Sequence, residues 1–338
     1  MQKALLIIQT AFIGDTILAS SFAQEVAREY PDHEIHFLCR HGNQSVLDGL
    51  PFIHKLWVWD KRGSKYKSLW RMIKELRGFK FDVVFNLHRH FNSGLVSLCM
   101  KAKHKIGFKQ NPLSFFYSKS INHRIPHTVQ NKSWHEVQRN LQLLQAIKRN
   151  YPMAINPKGV RPQLPITETH RQKVQDLGLK TPYVVVAPAS VWFTKQWEEA
   201  SYKNLVSRLS ERFQVYLIGG PDDFALCERV KAESGAVNLC GKLNLLESAA
   251  LMETATRVFV NDSGPLHLAS SVNAPSTSFF CATIKEFGYG PLSDDSIVLE
   301  SPEKLNCRPC GLHGHTSCPQ DHFKCAKNIT VEMALKTV

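Results

Sequence analysis

The sequence predicts an α/β protein made of two doubly wound parallel sheets. Short apolar runs alternate with amphipathic helical segments, which is typical of β-α-β units. The alternation occurs twice, on either side of Tyr151–Pro165, a stretch with four prolines and no periodicity. At 338 residues the chain is also long for one hydrophobic core. We therefore expect two domains with a cleft between them, at 1–155 and 167–320, with a linker at 156–166 and a helical tail at 321–338.

The elements of the first domain follow from apolar runs and helical periodicity. Asp82–Leu87 (DVVFNL) is almost continuously apolar, as expected for a strand covered on both faces, and Asp15–Tyr30 carries apolar residues along one helical face. The predicted strands are Ala4–Gln9, Glu34–Cys39, Lys55–Trp59, Asp82–Leu87 and Lys105–Phe108. The predicted helices are Asp15–Tyr30, Tyr66–Leu76, Asn92–Met100 and Trp134–Ile147, with a poorly patterned loop at 109–133.

The second domain repeats this order. Tyr183–Ala187 (YVVVA) reads as a buried strand, and Val215–Ile218 ends in Gly219-Gly220, where backbone can approach a ligand closely. The other predicted strands are Val237–Leu239, Arg257–Val260 and Ser276–Phe280. The predicted helices are Thr167–Leu177, Glu198–Arg212, Asp223–Ala232, Leu245–Thr254, one that begins near Pro265, and a tail helix at Ile329–Val338.

Composition predicts a soluble protein of a reducing compartment. Hydrophobic residues make up 43% of the chain, the mean hydropathy is −0.22, and no apolar run approaches the roughly 20 residues that span a bilayer. The first apolar run leads into Gln9 and Asp15 without a small-residue cleavage site, so it is a strand and not a signal peptide. Nine cysteines, an odd count, are scattered over the chain, which favours the cytosol.

The net charge of +13 is concentrated in one part of the chain. From Lys55 to Arg149 there are 20 Lys and Arg against 4 Asp and Glu, a local charge of 20 − 4 = +16. Such an excess indicates an anionic partner: nucleic acid, an acidic membrane surface or a phosphorylated glycan. A solvated basic surface without a specific partner is the alternative.

The stretch Val258–Ser271 (VFVNDSGPLHLASS) predicts an anion site. It reads as a buried strand, a polar turn and a helix whose first turn holds Pro265. A helix N-terminus at the carboxyl end of a parallel strand offers unpaired N–H groups and a positive dipole end, which suits a phosphate or diphosphate. The simpler alternative is that Asp262 or Ser263 only caps the helix.

Two other loops follow predicted strands. Gly14 permits a tight turn after the first strand, and Asp15 is there either a plain N-cap or a general base that deprotonates an acceptor hydroxyl. After Tyr183–Ala187, the loop PASVWFTKQW suits an anionic ligand with a sugar part, or else is a surface loop whose tryptophans pack on the next helix. No GxGxxG and no GxxxxGK[ST] occurs in the chain, so nicotinamide, kinase and ATPase functions lose their main support.

Set side by side, IGDTILAS, PASVWFTKQW and NDSGPLHLA resemble glycosyltransferase family 9, the ADP-heptose:lipopolysaccharide heptosyltransferases, and in particular heptosyltransferase II-like members. LIGG at 217–220 and NLCGK at 238–242 are similar to two intervening segments, so the resemblance runs in order over nearly the whole chain. It implies the GT-B fold, with two Rossmann-like domains facing across a cleft, and transfer with inversion at the sugar carbon. The nucleotide sugar would lie mainly on the C-terminal domain and the acceptor on the N-terminal one.

The same resemblance implies roles for individual residues. Asp15 would be the catalytic base, and Lys195 would offset the charge of the departing diphosphate, with Ser190 or Thr194 donating hydrogen bonds beside it. Asp262 would hold sugar hydroxyls, Ser263 and Gly264 would present backbone amides to the diphosphate, and His267 would lie close by. No Asp-x-Asp occurs in the chain, which fits an enzyme without a metal cofactor that relies on Lys195 and a helix dipole.

The resemblance also implies partners. The donor would be ADP-heptose, and the acceptor an anionic lipopolysaccharide inner core, lipid A-Kdo or heptosyl-Kdo. The protein would be cytoplasmic, in peripheral contact with the inner membrane of a Gram-negative bacterium, with no nucleic-acid partner. The basic residues proposed as acceptor contacts are Lys61, Arg62, His88, Arg89 and His90. Ala189, Gln196 and Cys281-Ala282-Thr283 depart from the family pattern, in which Gly, Arg and a Gly-Pro-Thr-like turn are usual.

Four cysteines near the C-terminus form a second pattern. Cys307, Cys310, Cys318 and Cys325 give C-x2-C-x7-C-x6-C, with His313, His315 and His322 between them. Structural zinc, a disulfide and reduced thiols are all compatible with this spacing, and no metal is assigned to the site. A related tail is common in heptosyltransferase II-like members, which favours transfer of the second heptose over the first.

Three other functions stay open from the sequence. A transferase for a different nucleotide sugar would keep the fold and change the donor. A catalytically silent protein would bind the nucleotide sugar without turnover. A nucleic-acid-binding protein is suggested by Trp57, Trp59, Tyr66 and Trp70 within the basic block, although no RRM, KH or helix-turn-helix signature supports it.

Overall fold

The structure of the protein is a computed structural model that describes residues 3–125, 134–148, 150–152 and 155–338. The described residues form two compact units. Unit 1 consists of the described parts of Met1–Arg124 and Glu136–Pro165, and unit 2 of the described parts of Ile125–His135 and Ile166–Val338. The last passage from unit 1 to unit 2, at Pro165, falls within the linker expected at 156–166. Residues 126–133 of the predicted loop and 153–154 of the proline-rich stretch lie outside the described residues.

Unit 1 is built on a six-stranded parallel sheet. Its strands are β1 (Ala4–Ile8), β2 (Glu34–Arg40), β3 (Lys55–Trp59), β4 (Lys80–Asn86), β5 (Lys101–Phe108) and β6 (Lys119–Ile121). Its helices are α1 (Ile13–Glu29), α2 (Lys65–Leu76), α3 (Phe91–Cys99) and α4 (Glu136–Gln145). The strand order is β3-β2-β1-β4-β5-β6. The sheet grows outward in both directions from β1 and β4, so the switch point of the topology lies between these two strands.

Unit 2 repeats the arrangement. Its strands are β7 (Tyr183–Ala187), β8 (Gln214–Leu217), β9 (Val237–Asn238), β10 (Arg257–Asn261), β11 (Ser276–Phe280) and β12 (Ser296–Glu300). Its helices are α5 (Glu168–Gln175), α6 (Glu199–Leu209), α7 (Phe224–Lys231), α8 (Leu245–Glu253), α9 (Gly264–Ser271), α10 (Lys324–Lys327) and α11 (Val331–Leu335). The order β12-β11-β10-β7-β8-β9 puts the switch point between β7 and β10. Two doubly wound parallel sheets confirm the predicted α/β, Rossmann-like fold class.

The central strands were predictable because helices cover both of their faces. Every residue of β1, β7 and β10 is buried, so their sequences are nearly continuous in apolar side chains. In unit 2 the core reaches the C-terminal tail, where the Trp197 ring stacks on Phe279 at 4.2 Å and its Nε1 donates to the Ile329 carbonyl oxygen at 2.9 Å. The tail helix predicted at Ile329–Val338 is present as the shorter α11, packed on unit 2.

Two of the four edge strands were missed, whereas β3 and β9 were predicted. The sequence predicted loop at β6, gave no strand at β12, and started β5 four residues late, at Lys105 instead of Lys101. Both β6 and β12 are outermost in their sheets, and their residues are mostly half-buried. The first half of β5 is largely exposed and carries lysines, so it lacks the apolar run by which buried strands are recognised.

The helices of the described residues are all short for a membrane protein. The longest, α1, has 17 residues. Within the described part of the chain, no helix is both long and apolar enough to cross a bilayer.

Candidate active site

The centre of the candidate site in unit 2 is an ion pair at the switch point of the sheet. The loops after β7 and β10 leave the same edge of the sheet side by side, because these two strands are neighbours. Lys195 Nζ lies 2.8 Å from Asp262 Oδ2, and the two side chains are 17% and 9% exposed. Thr283 Oγ1 donates to the same carboxylate oxygen at 2.7 Å. The structure thus brings together Lys195 and Asp262, which lie 67 positions apart in the sequence.

Asn261 fixes the positions of the two loops. It is fully buried at the end of β10, where its Oδ1 accepts from the Trp197 N–H at 2.9 Å and from the Tyr202 hydroxyl at 2.9 Å. Its Nδ2 donates to the Pro188 carbonyl oxygen at 2.8 Å. These bonds join both ends of the loop 188–197 to the last residue of β10. Asn261 is therefore a positioning residue for the ion pair.

Thr194 is oriented away from open solvent. Its backbone N–H donates to the His315 carbonyl oxygen at 3.1 Å, and its hydroxyl accepts from the His315 N–H at 2.7 Å. Gly314 makes this approach possible, since its φ is +77° and an added Cβ would lie 2.9 Å from Thr194 Oγ1. In this structure the Thr194 hydroxyl anchors the loop to the C-terminal segment, and its contact with a ligand stays a prediction.

Gln196, which stands where the family usually has Arg, bonds back to the start of the loop 188–197. Gln196 Nε2 donates to the Ser190 carbonyl oxygen at 2.6 Å, which folds the loop back on itself. Ser190 is half-buried. Trp197 packs edge-to-face on Tyr202 of α6 with ring centroids 5.1 Å apart, so the structural role considered for this tryptophan is confirmed. The ligand role of Ser190 stays a prediction.

The capping explanation is wrong for Asp262, whereas Ser263 does stand at the N-cap position. Ser263 occupies the N-cap position of α9 with φ −154° and ψ 179°, but its side chain makes no capping hydrogen bond. The Asp262 carboxylate is engaged with Lys195 and Thr283 instead. Within the first turn of α9, Pro265 has no N–H and the Leu266 N–H donates to the Ser263 carbonyl oxygen at 3.1 Å, whereas the Gly264 N–H has no acceptor within the helix. Its contact with a diphosphate stays a prediction.

His267 is neutral at physiological pH. It is 5% exposed one turn into α9, and burial lowers its pKa to about 4 despite the opposing influence of Asp262. Its Nδ1 is buried and has no hydrogen-bond partner among the described residues. A neutral imidazole here can donate or accept a hydrogen bond but adds no positive charge beside Lys195.

We expect His267→Gln to flatten the pH dependence of stability between pH 7 and pH 5. The folded imidazole has a pKa near 4 and the unfolded one near 6.5, so the unfolded state takes up the proton first and acidification lowers the free energy of unfolding. At pH 5, protonation of His267 in the unfolded state should lower the free energy of unfolding by about 2 kcal/mol. Urea unfolding at both pH values measures it, with exposed His104→Gln as control. An equal loss in wild type and His267→Gln would contradict the assignment.

Asp15 lies at the corresponding switch point of unit 1. It occupies the first turn of α1, which begins at Ile13, and the N-cap position belongs to Phe12, so the N-cap interpretation of Asp15 is wrong. Asn43 holds this loop, since its Nδ2 donates to the Ala11 carbonyl oxygen at 3.1 Å and to Thr16 Oγ1 at 2.7 Å. Asp15 is half-buried at the carboxyl end of β1, where a base for a bound hydroxyl is expected.

Basic residues surround the same edge of unit 1. Lys61 Nζ donates to the Thr10 carbonyl oxygen at 2.9 Å, and His88 Nδ1 lies 2.9 Å from Thr10 Oγ1. Burial lowers the pKa of His88 to about 3, with nearby Lys61 acting in the same direction. Arg62 pairs with Asp60 at 2.9 Å, whereas the rings of His88 and His90 lie 5.6 Å apart. This clustering is compatible with the predicted acceptor contacts, which stay predictions.

The cysteine-rich segment 307–325 holds the turn that contacts the Lys195–Asp262 ion pair. The Arg308 guanidinium donates to the carbonyl oxygens of Phe280, Cys281 and Thr283 at 3.0, 2.7 and 2.6 Å, and to Glu300 Oε1 at 2.6 Å. The Cys310 N–H donates to the Ala282 carbonyl oxygen at 2.8 Å. These bonds hold the turn that carries Thr283, and through it Asp262. We therefore assign Arg308 as a positioning residue that sequence reasoning missed.

The four cysteines of this segment share one pocket. Cys307, Cys310, Cys318 and Cys325 line it together with His322, whose Nε2 lies 3.8 Å from Cys307 Sγ. All nine cysteines of the chain are free thiols in this structure, and burial raises the pKa of Cys325 to about 11. Among the described residues, no group of three or more His, Cys, Asp or Glu side chains is arranged to hold a metal ion.

Comparison with known proteins identifies the family. The model of glycosyltransferase family 9 (heptosyltransferase) matches residues 69–317. Lipopolysaccharide heptosyltransferase 3 of Escherichia coli K12 is 29% identical over 289 residues, 80% of each chain. The glycosyltransferase family 9 structure from Veillonella parvula aligns with a TM-score of 0.80 at 21% identity, over 99% of this chain and 95% of that one. The structure of E. coli ADP-heptose LPS heptosyltransferase II aligns with a TM-score of 0.77 at 19% identity, over 100% of this chain and 97% of that one. The chain belongs to glycosyltransferase family 9, the heptosyltransferase family.

Proposed function

We propose that the protein transfers a heptose from ADP-heptose to the inner core of lipopolysaccharide. One observation carries the donor half of the proposal: the Lys195–Asp262 pair stands at the switch point of unit 2, next to the first turn of α9. A cation and a helix N-terminus suit the diphosphate of a nucleotide sugar, and a carboxylate suits sugar hydroxyls. The relatives whose names specify heptose and lipopolysaccharide support the choice of sugar and acceptor.

The residues divide the chemistry between them. Asp15 takes the proton from the acceptor hydroxyl as its oxygen forms a bond to the anomeric carbon. The bond from that carbon to the diphosphate oxygen breaks on the opposite face, so the configuration inverts and ADP leaves. Lys195 and the backbone N–H groups of Ser263 and Gly264, at the start of α9, stabilise the negative charge that grows on the leaving oxygen. Asp262 orients the sugar, and Ser190, Thr194 and His267 complete the donor site.

The acceptor is proposed to be anionic and lipid-linked, either lipid A-Kdo or heptosyl-Kdo. The excess positive charge between Lys55 and Arg149 supports this class of acceptor, and Lys61, Arg62, His88, Arg89 and His90 are its proposed contacts. Heptosyl-Kdo, as in transfer of a second heptose, is the more specific proposal. Contact with a lipid-linked acceptor would place the protein at the inner face of the cytoplasmic membrane.

Transfer is proposed to need no divalent metal. The chain has no Asp-x-Asp, and Lys195 supplies positive charge where a metal would otherwise neutralise the diphosphate. Initial rates of transfer in EDTA and in added Mg²⁺ should therefore agree. A rate that falls in EDTA and returns with Mg²⁺ would assign the leaving-group role to a metal instead.

We expect ADP to raise the melting temperature selectively over UDP, GDP and CDP. At a ligand concentration 100 times the dissociation constant the stabilisation should be about 2.7 kcal/mol. Lys195→Ala and Asp262→Ala should lose most of this shift, whereas Lys203→Ala, an exposed lysine on α6, should keep it. A selective rise in melting temperature with another nucleotide would identify a different nucleotide sugar as the donor. No shift with any nucleotide would contradict the proposed donor site.

A further inference from the structure

Helix α2 presents an unusual face to solvent. Leu69, Met72, Ile73 and Leu76 form its buried side and pack in the core of unit 1. The exposed side carries two large aromatic residues one turn apart, Tyr66 at 68% and Trp70 at 56% exposure. Large aromatic rings are normally buried when a helix has only water outside, so a pair on the outer face indicates a partner surface.

Cations flank these two rings. At 100° per residue, an arc of roughly 140° holds Tyr66, Trp70, Lys67, Lys74, Arg71 and Arg77. All six are exposed, and Glu75 lies at the edge of the arc. In the described part of the chain, the ion pairs involve none of Lys67, Arg71, Lys74 and Arg77. Their charge is therefore not neutralised within the protein.

The helix starts close to the loop that carries the proposed base. Lys61, four residues before α2, bonds to the carbonyl oxygen of Thr10 in the β1–α1 loop at 2.9 Å. Trp59, at the end of β3, donates from Nε1 to Ser68 Oγ in the first turns of α2 at 3.1 Å. These bonds fix the orientation of α2 on unit 1, so whatever its outer face contacts is held at a fixed position relative to Asp15.

We propose that the outer face of α2 docks on the surface of an anionic lipid bilayer. Tyr and Trp have an apolar body and a polar tip, and they concentrate at the level of lipid headgroups. Lysine and arginine beside them are attracted to anionic headgroups, and their stems cover apolar surface. The inference rests on the proposed function, because a lipid-linked acceptor has to be met at a membrane. It names the surface that makes this contact.

A single-stranded nucleic acid is the other partner that aromatic and basic residues would suit. The arrangement on α2 favours a bilayer. Both rings lie one turn apart on the exposed side of a single helix, whereas a single strand is usually bound along a groove that follows its backbone. Oligonucleotide binding is therefore used as a competing outcome of the test.

Sedimentation with lipid vesicles tests the proposal. The full-length protein should bind vesicles of phosphatidylcholine with phosphatidylglycerol and largely ignore vesicles of phosphatidylcholine alone, and binding should weaken as salt rises. Lys67→Glu/Arg71→Glu should weaken binding by about 20-fold or more, since each cation contributes about fivefold. Trp70→Ala should weaken it by about tenfold. Trp70→Phe should keep most binding and lose the vesicle-induced blue shift of tryptophan emission.

Matched variants on unit 2 complete the design. Lys180→Glu/Lys203→Glu changes the same net charge at two exposed lysines, and Phe224→Ala removes an aromatic ring that is 47% exposed; both should bind vesicles like wild type. Equal loss in these controls, or α2-dependent binding of an oligonucleotide without vesicle binding, would overturn the proposal. The vesicles contain no acceptor, so this outcome is independent of transferase activity. Transfer to a detergent-dispersed acceptor should stay unchanged in the α2 variants, and loss there would overturn the assignment to docking.

Discussion

Asp15→Asn is expected to lower kcat by about 10²–10⁴-fold while ADP binding stays unchanged. The substitution keeps the shape of the side chain and removes its capacity to accept the proton of the acceptor hydroxyl. The carboxylate belongs to unit 1 and the proposed donor contacts to unit 2, so a loss confined to turnover is the signature of a base. Asp15 is not the N-cap residue of α1, which is Phe12, so loss of its first-turn charge should change the free energy of unfolding by no more than about 1 kcal/mol.

Single-turnover kinetics with saturating donor measure this effect without interference from product release. Asp48→Asn, an exposed aspartate of the same unit, is the matched control and should leave the rate unchanged. The ADP-induced thermal shift of Asp15→Asn should equal that of wild type. A rate within a few-fold of wild type would remove Asp15 from the mechanism. A normal rate with a reduced thermal shift would place it in donor binding instead.

The sequence was a good guide to the strands that build the site. β1, β7 and β10 are buried on both faces, which forces apolar side chains along their whole length, and their loops therefore stand out by their polarity. The sheet order puts the loops after β7 and β10 side by side, so Lys195 and Asp262 meet although the sequence does not show their contact. Which strand neighbours which was inferable only from the expected doubly wound order.

The residues that hold the site in place were not predictable, because their roles depend on contacts between distant parts of the chain. Asn261 resembles an ordinary turn residue, and its bonds to Trp197, Tyr202 and Pro188 depend on tertiary packing. Thr283 belongs to a turn that departs from the family pattern, and its hydroxyl meets Asp262 only in the folded protein. Arg308 lies among cysteines whose spacing is the stronger sequence signal, and its bonds to the carbonyl oxygens at 280, 281 and 283 form only in the fold. In each case the signal is a long-range hydrogen bond, and no spacing along the chain encodes it.

Lys195→Met is expected to lower kcat by about 10²–10³-fold, comparable to the loss of one preorganised donor in an oxyanion site. Methionine fills a similar volume without the charge, so negative charge that develops on the departing diphosphate is no longer offset. Lys195→Arg should recover part of the rate, because it restores the charge with a different geometry. Rates at saturating donor separate this effect from weaker donor binding, and the exposed Lys203→Met serves as control.

The contact with Asp262 makes a second variant necessary. Removal of Lys195 leaves a largely buried carboxylate that keeps its hydrogen bond from Thr283 but loses its ion pair, which by itself distorts the loop and weakens donor binding. Lys195→Met/Asp262→Asn removes both charges, so it should recover stability and part of the ADP-induced thermal shift. If Lys195 acts on the diphosphate, transfer by the double variant stays slow. If instead the lysine serves only to neutralise Asp262, the double variant transfers faster than Lys195→Met. The leaving-group role then has to be assigned to the backbone N–H groups of Ser263 and Gly264 alone.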